Sequence, residues 1–222
     1  GDGIRLLSPV IPSKVYGLAK NYEAHAQFMH EAGHSEIAHA PEDMVIFSKP
    51  STSVIGPDDP IVIPSYSNDM NFEPEVAVVM GRIAKNVTVE NAMDYVLGFT
   101  CVNDVTLRDL QGIDPTWTRA KGFDTSCPLG PWIVMRDDLD WKDAKISFTL
   151  NGEDVPMASG TTANLIHGIP EQIAAISSFS TLLPGDVIMT GTPNASGHLD
   201  PGDETIVHVE GIGDLRNVIV RA

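Results

Sequence analysis

Apolar and polar residues alternate in short runs along most of this chain, and a period of two is typical of β-strands. Turn-forming residues, chiefly Gly, Pro, Asn and Asp, separate the runs. The pattern predicts strands over residues 14–19, 44–49, 61–64, 71–81, 97–104, 131–135, 187–193, 205–211 and 215–222. Residues 146–157 predict a hairpin, because the dipeptide Asn151-Gly152 within them favours a type I′ turn.

Helical patterns are fewer, and each begins at a capping residue or a proline. They span residues 21–34, 89–96 and 170–183. Asn21 and Thr88 are suited to cap the first two helices, and Pro170 suits the first turn of the third. Strands outnumber helices and do not alternate with them as βαβ units would. The pattern therefore predicts one α+β domain, predominantly β, over residues 1–222.

The first predicted helix has one apolar face, formed at helical spacing by Tyr22, His25, Ala26 and Met29. His25 is therefore expected to point inward. A single histidine on such a face is either a core residue or a catalytic one, and the helix alone does not decide between them.

The most unusual strand contains two acids, Glu73 and Glu75, which project to the same face because they are two residues apart. The rest of the strand is apolar on both faces, as is typical of a buried strand. Two buried carboxylates require a compensating cation, and a divalent metal would supply it. The alternative is that the strand begins in solvent and leaves both glutamates exposed.

A third acid, Asp104, ends the strand over 97–104, and three polar residues follow it: Arg108, Gln111 and Lys121. Three carboxylates without sulfur form a hard oxygen site that suits Mg²⁺ or Mn²⁺. The cations behind them are suited to the anion of a substrate. Zinc is disfavoured, because the histidines at 30, 34 and 39 have neither a cysteine nor an HExxH pattern beside them.

Composition narrows the function further. The formal net charge of -16 argues against a nucleic-acid or anionic-membrane partner. Two cysteines are too few for a disulfide scaffold, no apolar run approaches the roughly 20 residues of a membrane span, and the printed start does not resemble a signal peptide. These features predict a cytoplasmic protein. Motifs of the forms GxSxG, GxxxxGK[ST] and GxGxxG are also absent.

The order of several sequence blocks resembles the fumarylacetoacetate hydrolase superfamily. The blocks run almost the whole length of the chain: LLSPVIPSKVYGLAKNYEAHA, FSKPSTSVIGPDDPIVIP, FEPEVAVVMG, GFTCVNDVTLRD, KGFDTSCPLGPW, LNGEDVP and LLPGDVIMTGTPNASG. The resemblance implies a mixed β-roll of the family's C-terminal domain type and a homodimer. Many members carry a small segment before the block that begins here at LLSPVIP, and whether one precedes Gly1 is left open.

The resemblance also implies roles for site residues. It implies metal ligands at Glu73, Glu75 and Asp104, catalytic residues at His25 and Lys121, and substrate-binding residues at Arg108, Gln111 and Thr192. Members of the family use Mg²⁺ or Mn²⁺ to cleave acylpyruvates, to decarboxylate oxaloacetate-like acids or to isomerise hydroxymuconate-type diacids. The expected substrate is therefore a small anionic 2-oxo acid.

One departure from the family pattern affects the expected reaction. Hydrolytic members have a glutamate three residues after the histidine, where this chain has Phe28, and Glu31 is the nearest acid downstream. Without that acid the activation of water is impaired, whereas decarboxylation needs no nucleophilic water. The sequence therefore favours oxaloacetate decarboxylation to pyruvate and CO₂, with acylpyruvate hydrolysis second and isomerisation third. A non-enzymatic metal-binding protein would have no use for the cations behind the acids.

Overall fold

The computed structural model describes residues 5–33, 39–194 and 196–222. Within them most regular structure is strand. The strands, in chain order, are β1 (Val15–Ala19), β2 (Val45–Lys49), β3 (Val54–Ile55), β4 (Pro60–Ile63), β5 (Met70–Phe72), β6 (Pro74–Met80), β7 (Val96–Asn103), β8 (Thr106–Leu107), β9 (Cys127–Met135), β10 (Lys145–Leu150), β11 (Glu153–Asp154), β12 (Gly160–Thr161), β13 (Val187–Met189), β14 (Gly197–His198), β15 (Glu204–Val209) and β16 (Gly213–Arg221).

The strands form three sheets, the largest with the order β2-β1-β13-β6-β7-β9-β3. A second has the order β11-β10-β15-β16-β4, with β12 joined to β10, and a third has the order β14-β5-β8. Parallel pairs such as β1 with β13 and β4 with β16 occur beside antiparallel ones, so the sheets are mixed. The structure thus confirms the α+β, predominantly β class and the mixed β-roll.

Strand β6 is the centre of the core, and every residue in it is buried. Val76, Val78 and Met80 pack into the larger apolar cluster on one face. Ala77 and Val79 pack into a second cluster on the other face. This confirms that the strand is apolar on both sides, so carboxylates at its start lie where water cannot solvate them freely.

The predicted hairpin is also confirmed. Strands β10 and β11 pair antiparallel, with Leu150 opposite Glu153. Asn151 and Gly152 between them both have positive φ angles, of 54° and 80°. A type I′ turn requires this at both central positions, which is why the dipeptide identified the turn from sequence.

The helices differ from prediction in type and length. The α-helices are α1 (Glu23–Glu31), α2 (Arg108–Gln111), α3 (Thr118–Lys121) and α4 (Ile169–Phe179), and 3₁₀ helices span Ser51–Ser53, Val89–Tyr95, Arg136–Asp138, Pro156–Ala158 and Thr162–Asn164. The helix predicted over 89–96 is thus a 3₁₀ helix. Helix α4 ends at Phe179, short of the predicted 183, and Leu182 instead pairs with Ala84 in an isolated bridge.

Asn21 does not cap α1, contrary to the prediction. Its side-chain amide donates to the carbonyls of His167 at 3.0 Å and Thr190 at 2.9 Å, and its oxygen accepts from the His167 N–H at 2.8 Å. Those contacts join the start of α1 to the segment before α4 and to the residue after β13. The side chain satisfies three distant backbone groups, which outweighs a single local cap.

The inward face predicted for α1 is confirmed, since Tyr22, His25, Ala26 and Met29 are all buried. Cys101 and Cys127 are buried and not joined to each other. Among the described residues no helix has both the length and the apolar character needed to cross a membrane.

Candidate active site

The acids Glu73, Glu75 and Asp104 come together because β6 and β7 pair antiparallel, with Pro74 opposite Asn103. Glu73 and Asp104 then face each other across the strand ends, and the Asp104 N–H donates to the Glu73 carbonyl at 2.9 Å. One oxygen from each of the three carboxylates lies within 4.8 Å of the others, and all three residues are buried. The alternative in which the glutamates are exposed is therefore wrong.

Lys121 and Arg108 both contact the acids, and Lys121 also lines the cavity. Lys121, at the end of α3, places Nζ 2.7 Å from Glu73 Oε2 and donates a second hydrogen bond to Asp104 Oδ2. The Arg108 guanidinium donates to Glu73 Oε1, to the Ser196 hydroxyl at 2.6 Å and to Gln111 Oε1 at 2.6 Å. Arg108 is thus not a surface partner of the neighbouring Asp109, which instead accepts from Ser67 and Asn68.

The pKa values of Glu73 and Glu75 are shifted in opposite directions. Burial would raise the pKa of Glu73, but the charges of Lys121 and Arg108 outweigh it and hold that pKa below its usual value. The pKa of Glu75 is raised well above its usual value by burial and by the negative charges of Asp104 and Glu73. Glu75 Oε2 accepts from the Gly191 N–H at 2.7 Å, which offsets only part of this penalty.

The donor set fits a hard divalent cation. Three buried carboxylates converge, and one of them, Glu75, is disfavoured as an anion. Asp104 Oδ1 is buried and makes no hydrogen bond among the described residues, although Lys49 Nζ lies 2.8 Å from it. An ion bound between the carboxylates would stabilise the ionised form of Glu75 and take their oxygens as ligands. Oxygen donors alone favour Mg²⁺ or Mn²⁺ over softer metals.

His25 approaches the same cavity from α1. Its Nδ1 donates to the Asn194 carbonyl, which fixes the proton on that nitrogen and leaves Nε2 as the basic one. Burial lowers the pKa of His25 despite the opposing charge of Glu73, so the imidazole is neutral near pH 7. A neutral histidine of fixed tautomer is suited to accept a proton.

Among the described residues no carboxylate is hydrogen-bonded to His25. Phe28, at the position of the family's acid, stacks on the imidazole with ring centroids 6.3 Å apart. Glu31 is exposed and accepts a 2.8 Å hydrogen bond from Gln27, away from the cavity. Of the histidines considered for zinc, His39 contacts Glu23 and His34 lies outside the described residues.

A cavity of about 80 Å³ joins these groups, and Gln111, Thr192 and Trp117 complete its wall. The Thr192 hydroxyl is buried and has no hydrogen-bond partner in the described structure. Gly191 before it has a φ of +104°, and a Cβ there would lie 3.0 Å from Asn21 Cβ. A side chain at 191 would therefore displace the loop that presents Thr192 and the Gly191 N–H.

The structure thus brings all eight site residues named from sequence into one region. Sequence reasoning missed Lys49, Ser196, Phe47 and Trp117. For Lys49 a signal existed, because it lies two residues after Phe47 on the inward face of β2. For Ser196 there was none, since its contact with Arg108 joins distant parts of the chain.

Curled mixed sheets with three buried carboxylates at one end, contacted by lysine and arginine, are the features of a β-rich protein whose oxygen ligands could hold a cation. The Fumarylacetoacetate (FAA) hydrolase C-terminal family model matches residues 14–220. The chain therefore belongs to the fumarylacetoacetate hydrolase family, whose members are enzymes.

Three similar proteins show the range of reactions in the family. The 5-carboxymethyl-2-hydroxymuconate delta-isomerase from Mycobacterium smegmatis, whose crystal structure is known, is 45% identical in sequence to this chain. The two structures superimpose with a TM-score of 0.87, and the match covers 98% of this chain and 82% of that one. The human mitochondrial oxaloacetate tautomerase FAHD2A is 37% identical over 98% of this chain and 70% of its own. Maleylpyruvate hydrolase from Sphingobium sp. SYK-6, in complex with manganese(II) and pyruvate, is 28% identical, with a TM-score of 0.82 over 99% and 75%.

Proposed function

We propose that this protein is a divalent-metal-dependent enzyme that interconverts the keto and enol forms of oxaloacetate or a closely related 2-oxo diacid. The observation that carries the proposal is the neutral His25, which has no hydrogen-bonded carboxylate among the described residues and lies at the same cavity as the buried acids Glu73, Glu75 and Asp104. That arrangement favours moving a proton on a substrate over activating water. The similarity to oxaloacetate tautomerases supports the choice of substrate.

The three carboxylates would hold Mg²⁺ or Mn²⁺, and the bound ion would act as a Lewis acid toward the substrate's 2-oxo group. Arg108 is planar and can bind a carboxylate through two parallel hydrogen bonds. The unpartnered Thr192 hydroxyl and the Gln111 amide line the same cavity and offer further donors. These groups would hold the diacid so that C3 faces His25.

In the proposed reaction His25 Nε2 takes a proton from C3, the electron pair of that C–H bond forms the C2–C3 double bond, and the π pair of the carbonyl moves to its oxygen to give an enolate. A proton from solvent then completes the enol while the imidazolium returns its own proton to solvent, and the reverse sequence restores the ketone. Lys121 carries a positive charge beside the developing oxyanion, because Asp104 and Glu73 outweigh its burial and raise its pKa. No bond between carbon atoms is broken.

Decarboxylation of oxaloacetate is the second candidate, because it passes through the same enolate. The C3–C4 bond breaks, its electron pair forms the enolate of pyruvate, and CO₂ leaves. Among the described residues no carboxylate is hydrogen-bonded to His25, and this favours decarboxylation over acylpyruvate hydrolysis, which needs an activated water. It ranks second because the oxaloacetate-specific relatives carry the name of tautomerases.

The test is a side-by-side assay with Mg²⁺ of enol-oxaloacetate, acetylpyruvate and fumarylpyruvate, corrected for the spontaneous metal-catalysed reactions. We expect loss of the enol to exceed pyruvate release by at least about tenfold, and exhaustive chelation to abolish it. His25→Ala should lower the rate about 10²-fold, whereas His208→Ala, at an exposed histidine paired with Asp214, should not. Pyruvate release equal to enol loss would establish the decarboxylase, and full activity after chelation would end the metal hypothesis.

A further inference from the structure

A second lysine, Lys49, lies buried beneath the acids on the side away from the cavity. Its side chain on β2 is fully buried, and Nζ lies 2.8 Å from Asp104 Oδ1. The three N–H groups of the ammonium are directed at backbone carbonyls of Lys121 at 2.5 Å, Ser126 at 2.8 Å and Val105 at 3.2 Å. The contact with Asp104 is therefore a charge contact, and the carbonyls fix the position of that charge.

An ammonium group occupies this position although burying a neutral group would cost less free energy. An ionised lysine in the interior is strongly disfavoured unless it has an anionic partner. For Lys49 that partner is Asp104, which also receives a hydrogen bond from Lys121. Asp104 thus contacts two cations, Lys121 in the cavity wall and Lys49 on the side away from the cavity.

The formal charges of the buried cluster are balanced only when Lys49 is included. The carboxylates of Glu73, Glu75 and Asp104 are matched by Lys49, Lys121 and Arg108. A divalent cation added to this set leaves an excess of two positive charges. An anion carrying two negative charges would restore neutrality, and one carrying a single charge would not.

We propose that Lys49 is a positioning residue that sets the charge of the site: its positive charge makes the site selective for dianionic over monoanionic 2-oxo acids, and it also weakens binding of the metal. This deepens and rests on the proposed metal-dependent function. A fixed positive charge a few ångströms behind the ligand carboxylate repels a bound cation and attracts a bound anion. Lys49 therefore acts in opposite directions on the two ligands.

Removing the charge of Lys49 should therefore strengthen metal binding and weaken anion binding. General damage to the fold would weaken both. Calorimetry at one fixed pH would compare Mn²⁺ binding to the wild type and to Lys49→Met. We expect the Mn²⁺ dissociation constant to fall about tenfold in the variant, because a repelling charge a few ångströms away is removed. Distortion of the site would raise that constant instead, and so would overturn the proposal.

The anion side uses two non-reacting probes of equal chain length at saturating Mn²⁺. 2-Oxoglutarate is a dianion, and 2-oxopentanoate is the monoanion in which a methyl group replaces the distal carboxylate. In Lys49→Met we expect the dissociation constant of 2-oxoglutarate to rise about tenfold and that of 2-oxopentanoate about threefold, since the lost attraction scales with ligand charge. Equal losses for both probes would overturn the charge-setting role.

Control variants distinguish the effect of the Lys49 charge from the effect of its packing in the core. Lys49→Arg keeps the charge and should retain the wild-type preference for the dianion, and Lys145→Met removes an exposed lysine paired with Asp143 and should change neither ligand. If Lys49→Met does not fold, Lys49→Gln, which keeps an N–H donor for the carbonyls, takes its place. Failure of both neutral variants to fold would make Lys49 a structural residue and reject the proposal. Absence of Mn²⁺ binding by the wild type would reject the proposed function itself.

Discussion

Glu73 and Glu75 are the same residue type two positions apart, yet their environments differ. Lys121 and Arg108 both contact Glu73, whereas among the described residues Glu75 accepts only the Gly191 N–H and lies near two other negative charges. A raised folded-state pKa means that ionised Glu75 destabilises the fold above its unfolded pKa. The lowered pKa of Glu73 means that ionised Glu73 stabilises the fold above its unfolded pKa.

This asymmetry predicts opposite effects of two matched variants. At pH 7 in chelator, Glu75→Gln should melt at or above the wild-type temperature, because it removes a disfavoured charge. Glu73→Gln should melt lower, because it leaves Lys121 and Arg108 without their partner; about 3 kcal/mol is typical of a broken buried pair.

Thermal unfolding with and without Mn²⁺ measures both effects. The wild type should gain stability on adding the metal, since the metal binds the folded state alone. Glu75→Gln should gain little, having lost a ligand. A full wild-type gain in Glu75→Gln would remove Glu75 from the metal site.

At the scale of the element, α1 determines which proton chemistry is available. It places His25 at the cavity and Phe28 against the imidazole, with Glu31 turned to solvent. Phe28→Glu restores the His-x-x-Glu spacing of hydrolytic relatives, so it should raise acetylpyruvate hydrolysis about tenfold or more if an acid is what limits water activation. Glu31→Gln is the matched control and should leave every activity intact.

Steady-state rates on acetylpyruvate and on enol-oxaloacetate measure the outcome. An unchanged hydrolysis rate in a folded Phe28→Glu protein would show that the acid is not limiting. Loss of activity in Glu31→Gln would show that the displaced acid reaches the substrate after all.

The parallel pair β1 and β13 is held at one end by a buried acid. Asp186 accepts from the Ser13 hydroxyl at 2.6 Å, the Leu183 N–H at 2.7 Å and Lys14 Nζ at 2.5 Å. Burial would raise the pKa of Asp186, but these hydrogen bonds outweigh it and lower that pKa. Its stabilisation is therefore complete above the unfolded pKa and is lost as pH falls through the folded one.

Asp186→Asn should reduce the free energy of unfolding by about 1–3 kcal/mol at pH 7, because buried donors lose their charged acceptor. The difference from the wild type should begin to shrink below about pH 4, where the carboxylate of the unfolded chain begins to protonate, because the pKa of the folded-state carboxylate is lower. Urea unfolding at pH 7 and pH 3.5 measures it. Asp58→Asn, at an exposed acid paired with Arg216, should change stability by less than about 1 kcal/mol at both values.

At the scale of the whole molecule, we propose that the protein forms a homodimer, as its resemblance to the family implies. Several large apolar side chains are more than half exposed in the single chain, and a partner subunit could cover some of them. They are Leu7, Ile11, Tyr66, Ile83, Ile113, Trp132, Met157 and Phe179. Light scattering after size exclusion should give about twice the chain mass of 23.9 kDa. A single-chain mass at tens of micromolar would contradict the proposal.

The sequence by itself determined the features that depend on local periodicity. Alternation predicted the strands, Asn151-Gly152 predicted the hairpin, and helical spacing predicted the buried face of α1. The two-residue spacing correctly predicted that Glu73 and Glu75 are buried close together, but the predicted strand is interrupted at Glu73, which lies between β5 and β6. These succeed because a strand or helix repeats its geometry over a few residues, so neighbours in sequence share a face.

Only the tertiary structure decided which charges meet. Lys49 reaches Asp104 from β2, Asn194 fixes the tautomer of His25, and Ser196 holds Arg108, all across large sequence separations. The missed cap at Asn21 has the same cause, since its hydrogen bonds go to His167 and Thr190. Electrostatic energies depend on distance in space and on burial, which a local pattern does not encode.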